Sequence, residues 1–528
     1  MKRRNFINVI GSGIVSGIIS TPVFSCNNNS GLDSSASAEL PFTKYRCLFN
    51  HELNIALYQG ISREALANYV ERLAGTDVDA VMCCPTAWRT NLFPSSVDPG
   101  WKNYTQDPIK KYPELVKYLK YIYDGGDPVG ETLAVCKSQK RGFFISYRMN
   151  DWHHVDDKNW PTHNAFFREH PEYWLLDTDK FATGGDSEVR LFNWMLPAVR
   201  DHYFTILEEL VTRYDVDGIE LDFNRCWILF HRQEIEAGIP VLTGFMRRLR
   251  DLLDRVGKER GKYLQFCIRS LDTVKHCRNY GMDVVAWANE NLIDMINVSS
   301  SYIQTTEIGI EEFKKQAPEC RVYGEMNFIT NKYPFRYTLV ENYRAAALNF
   351  FSRKVDGVSL FNFDYVPSKE LRTALAPALV GLANIPRLQT QSKAYGIYMN
   401  EGFISTSLPA INAVTFPLIV GDDTRKNAFT KALIRVETKT IFPAGTFSLL
   451  FNGKALLSCD CPNQTELFPL PESVVKSFSQ EWLSRDFLHF FEVPVELILY
   501  GSNEVELKKL DSVAGTLTFN TLELALYK

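Results

Sequence analysis

The sequence has no marked excess of charge of either sign. Its 58 Lys and Arg residues nearly balance its 62 Asp and Glu residues, which leaves a formal net charge of −4 at neutral pH. The basic residues are also scattered along the chain. A nucleic-acid partner or an anionic membrane surface is therefore not indicated, because both need a concentrated basic surface.

The spacing of cysteine and histidine that a metal site needs is lacking too. None of the 11 cysteines belongs to a CxxC pair or stands at zinc-finger spacing from a histidine. We therefore predict no structural metal and no cofactor. Most cysteines after Cys26 lie in apolar runs, so we expect them to be buried thiols.

No hydrophobic run near the N-terminus is long and apolar enough to predict a membrane-spanning helix. The basic start, the modestly apolar residues 9–23 and the small residues before Cys26 predict instead an export signal over residues 1–26. The pair Arg3-Arg4 resembles a twin-arginine signal. The motif "VFSC" resembles a lipoprotein cleavage box in which Cys26 is lipidated, and ordinary cleavage nearby is the alternative. We expect an exported bacterial lipoprotein, periplasmic or at the outer membrane or cell surface, that meets the membrane only through its lipid anchor.

After a polar, low-complexity tether at residues 27–42, short apolar runs alternate with amphipathic helical segments. This alternation predicts a parallel sheet covered by helices. Eight strand candidates can be counted, which is the number that closes a (β/α)8 TIM barrel, here over residues 43–385. The candidates are residues 45–53, 78–88, 141–151, 216–225, 262–271, 294–303, 320–328 and 356–365.

The pattern of apolar and polar residues changes after residue 385. Apolar and polar residues alternate between Gly, Asn and Pro turns, which predicts an antiparallel β-sandwich domain over residues 386–528. The stretch "VPVELILYGSNEVEL" (493–507) resembles a strand, turn and strand of the jelly rolls attached to glycosidases. Such a domain either binds sugar or braces the barrel.

Four carboxylates fall within "YDVDGIELDFNR" (214–225), an otherwise apolar, strand-like run. Buried carboxylates are costly unless they are paired or hydrogen-bonded. Asp215 and Asp217 fit a turn before the strand. Because side chains alternate along a strand, Glu220 and Asp222 share one face, which we place inside the barrel.

Polar and aromatic residues also stand at the C-terminal ends of most other predicted strands, where TIM barrels build their sites. This convergence is our main functional evidence. The predicted substrate-binding residues are Asn50, His51, Trp88, Arg148, Asp151, Trp152, His153, Glu220, Asn224, Arg225, Arg269, Asn327, Asp364 and Tyr365.

Two carboxylates that face each other across a barrel mouth suit the cleavage of a glycosidic bond. We predict Asp222 on the fourth strand and Glu325 on the seventh as the catalytic pair. The alternatives are a salt bridge of Asp222 with Arg225 or Arg269, and a buried hydrogen-bonding role for Glu325. Glu220 is expected to be a partner of an arginine.

The stretches "DGIELDFNR" and "FFISYRMNDWH", together with the eight strands, resemble bacterial family-10-like glycosyl hydrolase proteins over roughly residues 45–385. The placement of the two carboxylates is similar to the clan of xylanases and β-galactosidases, although that clan has Asn-Glu where this chain has Asp222-Phe223-Asn224. "DGIELDFN" also resembles a family 18 chitinase strand. Asn224 takes the place of the catalytic acid there, which argues against chitinase chemistry.

These observations predict a glycoside hydrolase that acts on a poly- or oligosaccharide. The alternatives are a catalytically silent barrel that binds glycans and, less favoured, a metal-assisted hydrolase that uses Asp151, His153 and His154. Trp88, Trp152 and Tyr365 are candidate platforms for sugar rings, although each could instead belong to the core.

Overall fold

A computed structural model gives the fold of the chain. It describes residues 42–176, 190–300, 302–332, 335–366, 368–398, 407–408, 413–438, 445–460, 466–475, 488–510 and 517–528. The predicted export signal, the lipidation site Cys26 and nearly all of the tether lie outside the described residues.

Eight parallel strands close into a barrel, which confirms the predicted fold class. Each strand pairs with its neighbours in the chain, and the last strand pairs with the first. The strands are β1 (Cys47–Glu52), β2 (Ala80–Cys84), β3 (Gly142–Arg148), β4 (Gly218–Asp222), β5 (Gln265–Ser270), β6 (Met295–Val298), β7 (Arg321–Asn327) and β8 (Gly357–Phe361).

Helices connect the strands, as the amphipathic segments of the sequence predict. The longest of the described helices begins at Ile235 and contains Pro240. The α-helices are Ala56–Gln59, Arg63–Glu71, Pro113–Tyr123, Pro128–Ser138, Ala165–Glu169, Pro197–Arg213, Ile235–Arg260, Val274–Arg278, Val284–Asn289, Ile310–Gln316, Val340–Ser352, Lys369–Leu375, Ile385–Gln389 and Glu472–Val475.

Three short hairpins lie in the loops that follow β2, β3 and β7. Their strands are Thr86–Ala87 with Thr90–Asn91, Trp174–Leu176 with Arg190–Phe192, and Ile329–Lys332 with Phe335–Tyr337. The loops after β2 and β3 are long, and they carry many of the aromatic side chains near the C-terminal end of the barrel.

The barrel interior changes from apolar to charged along its axis. Side chains such as Leu48, Phe144 and Tyr323 form an apolar cluster near the N-terminal ends of the strands. The inward residues above them are polar, and those at the C-terminal ends, including Asp222 and Arg269, are charged and buried. The alternation predicted for β4 is therefore confirmed.

An aspartate stands directly before each even-numbered strand and caps the strand that precedes it in the chain. In each case its carboxylate accepts a backbone N–H from the first residues of that odd-numbered strand, at 2.8 to 3.0 Å. The four pairs are Asp79 with Cys47, Asp217 with Phe143, Asp294 with Phe266 and Asp356 with Val322. Asp217 is thus more than the simple turn residue predicted, because it fixes the start of β3.

Two antiparallel sheets follow the barrel, as the sequence predicts. One contains Lys393–Tyr398, Leu517–Tyr527, Lys431–Thr438, Leu488–Glu492 and Leu457–Cys459, with Ser407–Leu408 paired beside Leu517–Tyr527. The other contains Ala413–Val420, Gly501–Lys509, Phe447–Phe451 and Lys454–Ala455. Side chains from both sheets, for example Ile434 and Leu507, share one hydrophobic cluster.

The strand predicted at the start of "VPVELILYGSNEVEL" is wrong. The strand before it ends at Glu492, and Val495–Leu497 form a 3-10 turn. Pro494 explains the break, because proline has no N–H to donate to a strand ladder.

Buried polar side chains join the barrel to the antiparallel sheets. Asn342, on the helix after β7, donates to Glu523 at 2.9 Å, and Arg336 contacts Glu437 at 2.9 Å. These contacts fit a bracing role for the C-terminal region. The division into two domains at residue 385 stays a prediction, and the boundary falls where the helix Ile385–Gln389 begins.

None of the helices in the described part of the chain is both long and apolar enough to span a membrane. Nine cysteines lie in this part of the chain, and all except Cys459 are buried, as predicted.

The aspartate caps predict a large loss of stability when the most buried cap is removed. Asp294 also accepts from Tyr263 and pairs with Arg250, and its side chain is only 3% exposed. We expect Asp294→Ala to lower the free energy of unfolding by about 3 kcal/mol, since it leaves a buried N–H without its acceptor and removes one of the two carboxylates that pair with the buried Arg250. Chemical denaturation measures this change.

Asp215→Ala is the matched control, because Asp215 lies on the surface and contacts only Lys137 and Lys262 through its side chain. Exposed ion pairs contribute about 0 to 1 kcal/mol. Equal losses for the two variants would contradict the capping role.

Candidate functional site

The two predicted catalytic carboxylates meet at one arginine. Arg269 of β5 donates from Nε and Nη2 to the two oxygens of Glu325, at 2.6 and 2.7 Å. Its Nη1 donates to Asp222 at 3.1 Å. The prediction that these carboxylates face each other across an open mouth is therefore wrong. A guanidinium from an intervening strand bridges them.

All three of these side chains are withdrawn from solvent. The exposed fraction is 1% for the side chains of Arg269 and Glu325, and 3% for that of Asp222. Arg269 also lies over the ring of Phe361, with the guanidinium carbon 3.6 Å from the ring centroid. We call Arg269, Asp222 and Glu325 the Arg269 cluster.

Two neighbouring side chains on β6 and just beyond it complete the polar contacts of Glu325. Ser299 donates its hydroxyl to Glu325, and Asn297 donates from Nδ2 at 3.2 Å. Burial raises the pKa of Glu325, and this effect outweighs the opposing effect of Arg269. Glu325 is thus buried, which is costly for a carboxylate, and it accepts hydrogen bonds from Arg269, Ser299 and Asn297.

Glu220 lies one layer deeper and does not contact an arginine directly, so that prediction is wrong. Among the described residues it accepts from Ser146 at 2.7 Å, Asn297 at 3.3 Å and the Cys267 thiol at 3.5 Å. Burial and then the charge of Asp222 raise the pKa of Glu220 to about 7. A substantial fraction of this carboxyl group is therefore protonated at neutral pH.

A second group of charges lies on the β1 and β3 side of the mouth. Arg148 donates to Glu52 at 2.7 Å and to Asp151 at 2.9 Å, and Glu52 lies 3.6 Å from Arg225. Burial opposes the ionisation of Glu52, but Arg148 and Arg225 outweigh it and lower the pKa of Glu52 to about 2. Tyr365 also donates to Glu52, at 3.2 Å.

Glu52 is the main residue that the sequence reasoning missed. It ends β1, and it shares the inward face of that strand with Asn50 and Leu48. The same alternation that identified Asp222 on β4 could have found it. Arg72, which pairs with Asp364 at the rim, directly follows the helix Arg63–Glu71 and gave no comparable signal.

Several predicted rim residues are buried here, and some of their polar atoms have no hydrogen-bond partner among the described residues. Asn224 uses Nδ2 to bind the backbone oxygens of Ser270 and Ser299, but its Oδ1 has no partner. The same holds for the atoms Asn50 Oδ1, His51 Nε2, Glu52 Oε1, Asn327 Oδ1 and Asn362 Oδ1. Burial lowers the pKa of His51 to about 4, so its ring is neutral at physiological pH.

The aromatic and histidine residues of the loops that follow β2 and β3 pack mostly against one another. Trp88 is only 8% exposed and lies against the rings of His153 and His154, which leaves little of its ring face for a sugar. Trp152 is half-buried and packs edge-on against Trp227.

His153 contacts Asp151 at 2.5 Å, whereas His154 stacks on Trp160 with the ring centroids 3.6 Å apart. The two histidines therefore share Trp88 but otherwise have separate partners. No group of three or more His, Cys, Asp or Glu side chains in the described ranges is arranged to hold a metal ion.

Part of the chain is similar to a known protein family. Residues 48–226 match the family "Glycosyl hydrolase-like 10". This match confirms the resemblance predicted from the sequence, over a shorter range that runs from β1 to just after β4. Asp222, Glu52 and Arg148 lie within the matched residues, whereas Arg269 and Glu325 lie beyond them.

Solved structures similar to this chain include the glycoside hydrolase domain of PgaB from Bordetella bronchiseptica, at 11% identity and a TM-score of 0.43, with 64% of this chain and 99% of that one covered. A maltogenic alpha-amylase from Thermotoga neapolitana has 13% identity and a TM-score of 0.38, with coverages of 87% and 98%.

A Paenibacillus cycloisomaltooligosaccharide glucanotransferase has 10% identity and a TM-score of 0.32, and 90% of this chain spans 57% of its length. These likenesses are too distant to indicate a substrate. No curated protein matches the sequence.

The raised pKa of Glu220 predicts a specific dependence of stability on pH. The carboxyl holds its proton up to about pH 7 in the folded state, but only to about pH 4.5 when unfolded. As the pH rises between these values, the free energy of unfolding of the native protein should therefore fall relative to that of Glu220→Gln, by about 3 kcal/mol in total. Denaturant unfolding across this pH range measures the difference.

Asp215→Asn is a suitable control, since the pKa of Asp215 is lowered to about 2 and its contribution changes only below the tested range. Parallel stability curves for the native protein and Glu220→Gln would show that Glu220 is not held protonated.

Proposed function

We propose that the protein is a glycoside hydrolase that acts on a poly- or oligosaccharide at the C-terminal mouth of the barrel. The observation that carries the proposal is the convergence of Asp222 from β4 and Glu325 from β7 on one guanidinium at this mouth. Glycosidic cleavage needs one carboxyl group to protonate the departing oxygen and a second to attack or to activate water.

The chemistry of the surrounding side chains supports a sugar as the ligand. Asn50, Asn224, Asn327 and Asn362 each have a polar atom without a partner among the described residues, and they stand near the ends of β1, β4, β7 and β8. Buried polar atoms are costly when they lack a hydrogen bond. A sugar offers many hydroxyl groups that both donate and accept, so one ring can satisfy several of these atoms together.

The environments of the two carboxylates suggest their roles. Burial raises the pKa of Glu325, which suits the proton donor. Asp222 would then act as the nucleophile or as the base that activates water. Glu325 accepts two bonds from Arg269, so the proposed reaction requires Arg269 to release Glu325 when substrate binds.

A catalytically silent glycan-binding barrel is the second candidate, and the Arg269 cluster itself favours it. Both carboxylates are ion-paired, and neither side chain is more than 3% exposed. A buried ion pair of this kind can be structural. Measurements of binding and of turnover on the same glycans separate the two candidates.

The proposed setting of this activity rests on the sequence alone. The twin-arginine and lipoprotein features around Arg3-Arg4 and Cys26 support an exported protein held to a bacterial membrane by a lipid. The partner in this setting would be an extracellular or periplasmic glycan.

Turnover of an oligosaccharide panel by Asp222→Asn and Glu325→Gln tests the hydrolase proposal. Each substitution keeps the shape of the side chain but removes its acid or base chemistry. We expect each to lower kcat by about 100-fold or more, in the range usual for general acid–base groups. Calorimetric titration should show that binding of the same oligosaccharides is retained within a few-fold.

Glu290→Gln serves as the control, because Glu290 pairs with Arg247 on the outer surface. It should leave turnover unchanged. Unaltered turnover in both active-site variants would contradict the assigned roles. Binding without any turnover by the native protein would favour the silent barrel.

A further inference from the structure

Arg225 is a buried guanidinium that makes no hydrogen bond to the residues that the structure describes. Its side chain is 4% exposed, and its Nε and Nη1 have no partner among the described residues. Its nearest anionic contact is Glu52, with Nη2 and Oε1 3.6 Å apart. A guanidinium carries five N–H donors in a planar fork, so a buried one without acceptors is unusual.

The neighbouring carboxylates are already engaged by other side chains. The other oxygen of Glu52 accepts from Arg148 at 2.7 Å and from Tyr365 at 3.2 Å. Asp151 accepts from Arg148 at 2.9 Å and contacts His153. Two buried arginines thus depend largely on one pair of carboxylates, and Arg148 takes the short contacts.

Two aromatic rings fix the position of Arg225 beside the Arg269 cluster. Its guanidinium carbon lies 5.3 Å from the ring centroids of both Tyr302 and Phe361. The ring of Phe361 also carries Arg269, at 3.6 Å. A group bound to Arg225 would therefore belong to a sugar close to Asp222 and Glu325.

We propose that Arg225 binds the carboxylate of an acidic sugar, so that the substrate of this site is a glycan with carboxylate-bearing residues. This inference rests on the proposed function and names its substrate class. The carboxylate would accept two parallel hydrogen bonds from the edge formed by Nε, which has no partner among the described residues, and Nη2, which lies 3.6 Å from Glu52. This is the bidentate geometry that arginine favours.

A neutral sugar fits this position less well. Its hydroxyl groups can accept hydrogen bonds from Arg225, but such bonds are weaker than the charge-assisted, bidentate pair that a carboxylate forms with a guanidinium. The methyl ester of the same sugar keeps the shape and loses the charge, so the two forms make a matched pair of ligands.

Calorimetric titration of the full chain with such pairs tests the inference. The probes are short oligomers of galacturonate, glucuronate and mannuronate, and a pyranoside whose carboxylate sits on an ether-linked substituent, each beside its methyl ester. We expect at least one acid to bind roughly 10- to 100-fold more tightly than its ester, the usual range for hydrogen bonds to charged groups. The acid that binds identifies where the carboxylate is attached.

Two substitutions then assign the preference to Arg225. Arg225→Gln should bring the ratio of acid to ester affinity to about one, while Arg225→Lys should keep part of it, because a lysine retains the charge but not the fork. Arg247→Gln is the control, since Arg247 is an exposed arginine paired with Glu290, and it should leave the ratio unchanged. Circular dichroism checks that each variant is folded.

The inference is overturned if every acid binds no more tightly than its ester, or if Arg225→Gln keeps the full preference. The comparison on the native protein needs no variant, so a folding defect does not affect it. Cleavage of neutral glycans alone would reject the acidic-sugar inference and leave the proposed function standing. If no glycan is bound or cleaved, both fail.

Discussion

Arg269 is a buried guanidinium that holds two carboxylates from strands well separated around the barrel, and the geometry of the mouth depends on it. Asp222 lies opposite Arg269 in the register of β4 and β5, and Asn297 lies opposite it in the register of β5 and β6. Glu325 reaches the cluster from β7. Breaking a buried pair of this kind usually costs about 3 to 5 kcal/mol, so the cluster constrains the strand ends strongly.

One end of the barrel contributes mainly to stability and the other carries the candidate chemistry. At the N-terminal ends, four aspartates before the even-numbered strands cap the odd-numbered ones, and an apolar cluster fills the interior above them. At the C-terminal ends the buried side chains are charged or carry partnerless polar atoms. Stability is thus concentrated at one end and the candidate chemistry at the other, as in TIM-barrel enzymes generally.

The features that follow local rules could be predicted from the sequence. Eight apolar runs predicted eight strands, and simple alternation placed Glu220 and Asp222 inside the barrel. The early end of the strand before Pro494 is also a local effect, and it was overlooked because the neighbouring residues are apolar. Residues 48–226 match a glycosyl hydrolase-like family, in agreement with the motifs on β3 and β4.

The pairing of charges could not be predicted, because it depends on which side chains from distant strands meet. Arg269 could have paired with Glu220, Asp222 or Glu325, and only the barrel geometry selects the last two. Glu220 is instead surrounded by neutral donors, which leaves it with a raised pKa. Glu52 was missed although it lies among the buried charges, because its importance comes from its contacts with Arg148 and Arg225.

The C-terminal region influences the mouth of the barrel through its contacts with the hairpin that follows β7. Arg336 of this hairpin contacts Glu437 and Glu466, and Arg435 of the neighbouring sheet contacts Glu466 and Glu523. All five side chains are buried. The sheet therefore fixes a loop that begins where Asn327 ends its strand, which links the bracing role of this region to the candidate site.

We propose that a sugar binds at the Arg269 cluster. A crystal structure of the protein with a bound oligosaccharide tests this proposal. We expect a sugar ring at the C-terminal mouth, with an oxygen within hydrogen-bond distance of Asp222 or Glu325 and with Arg269 released from at least one of them. A sugar bound only elsewhere, with both carboxylates still held by Arg269, would contradict it.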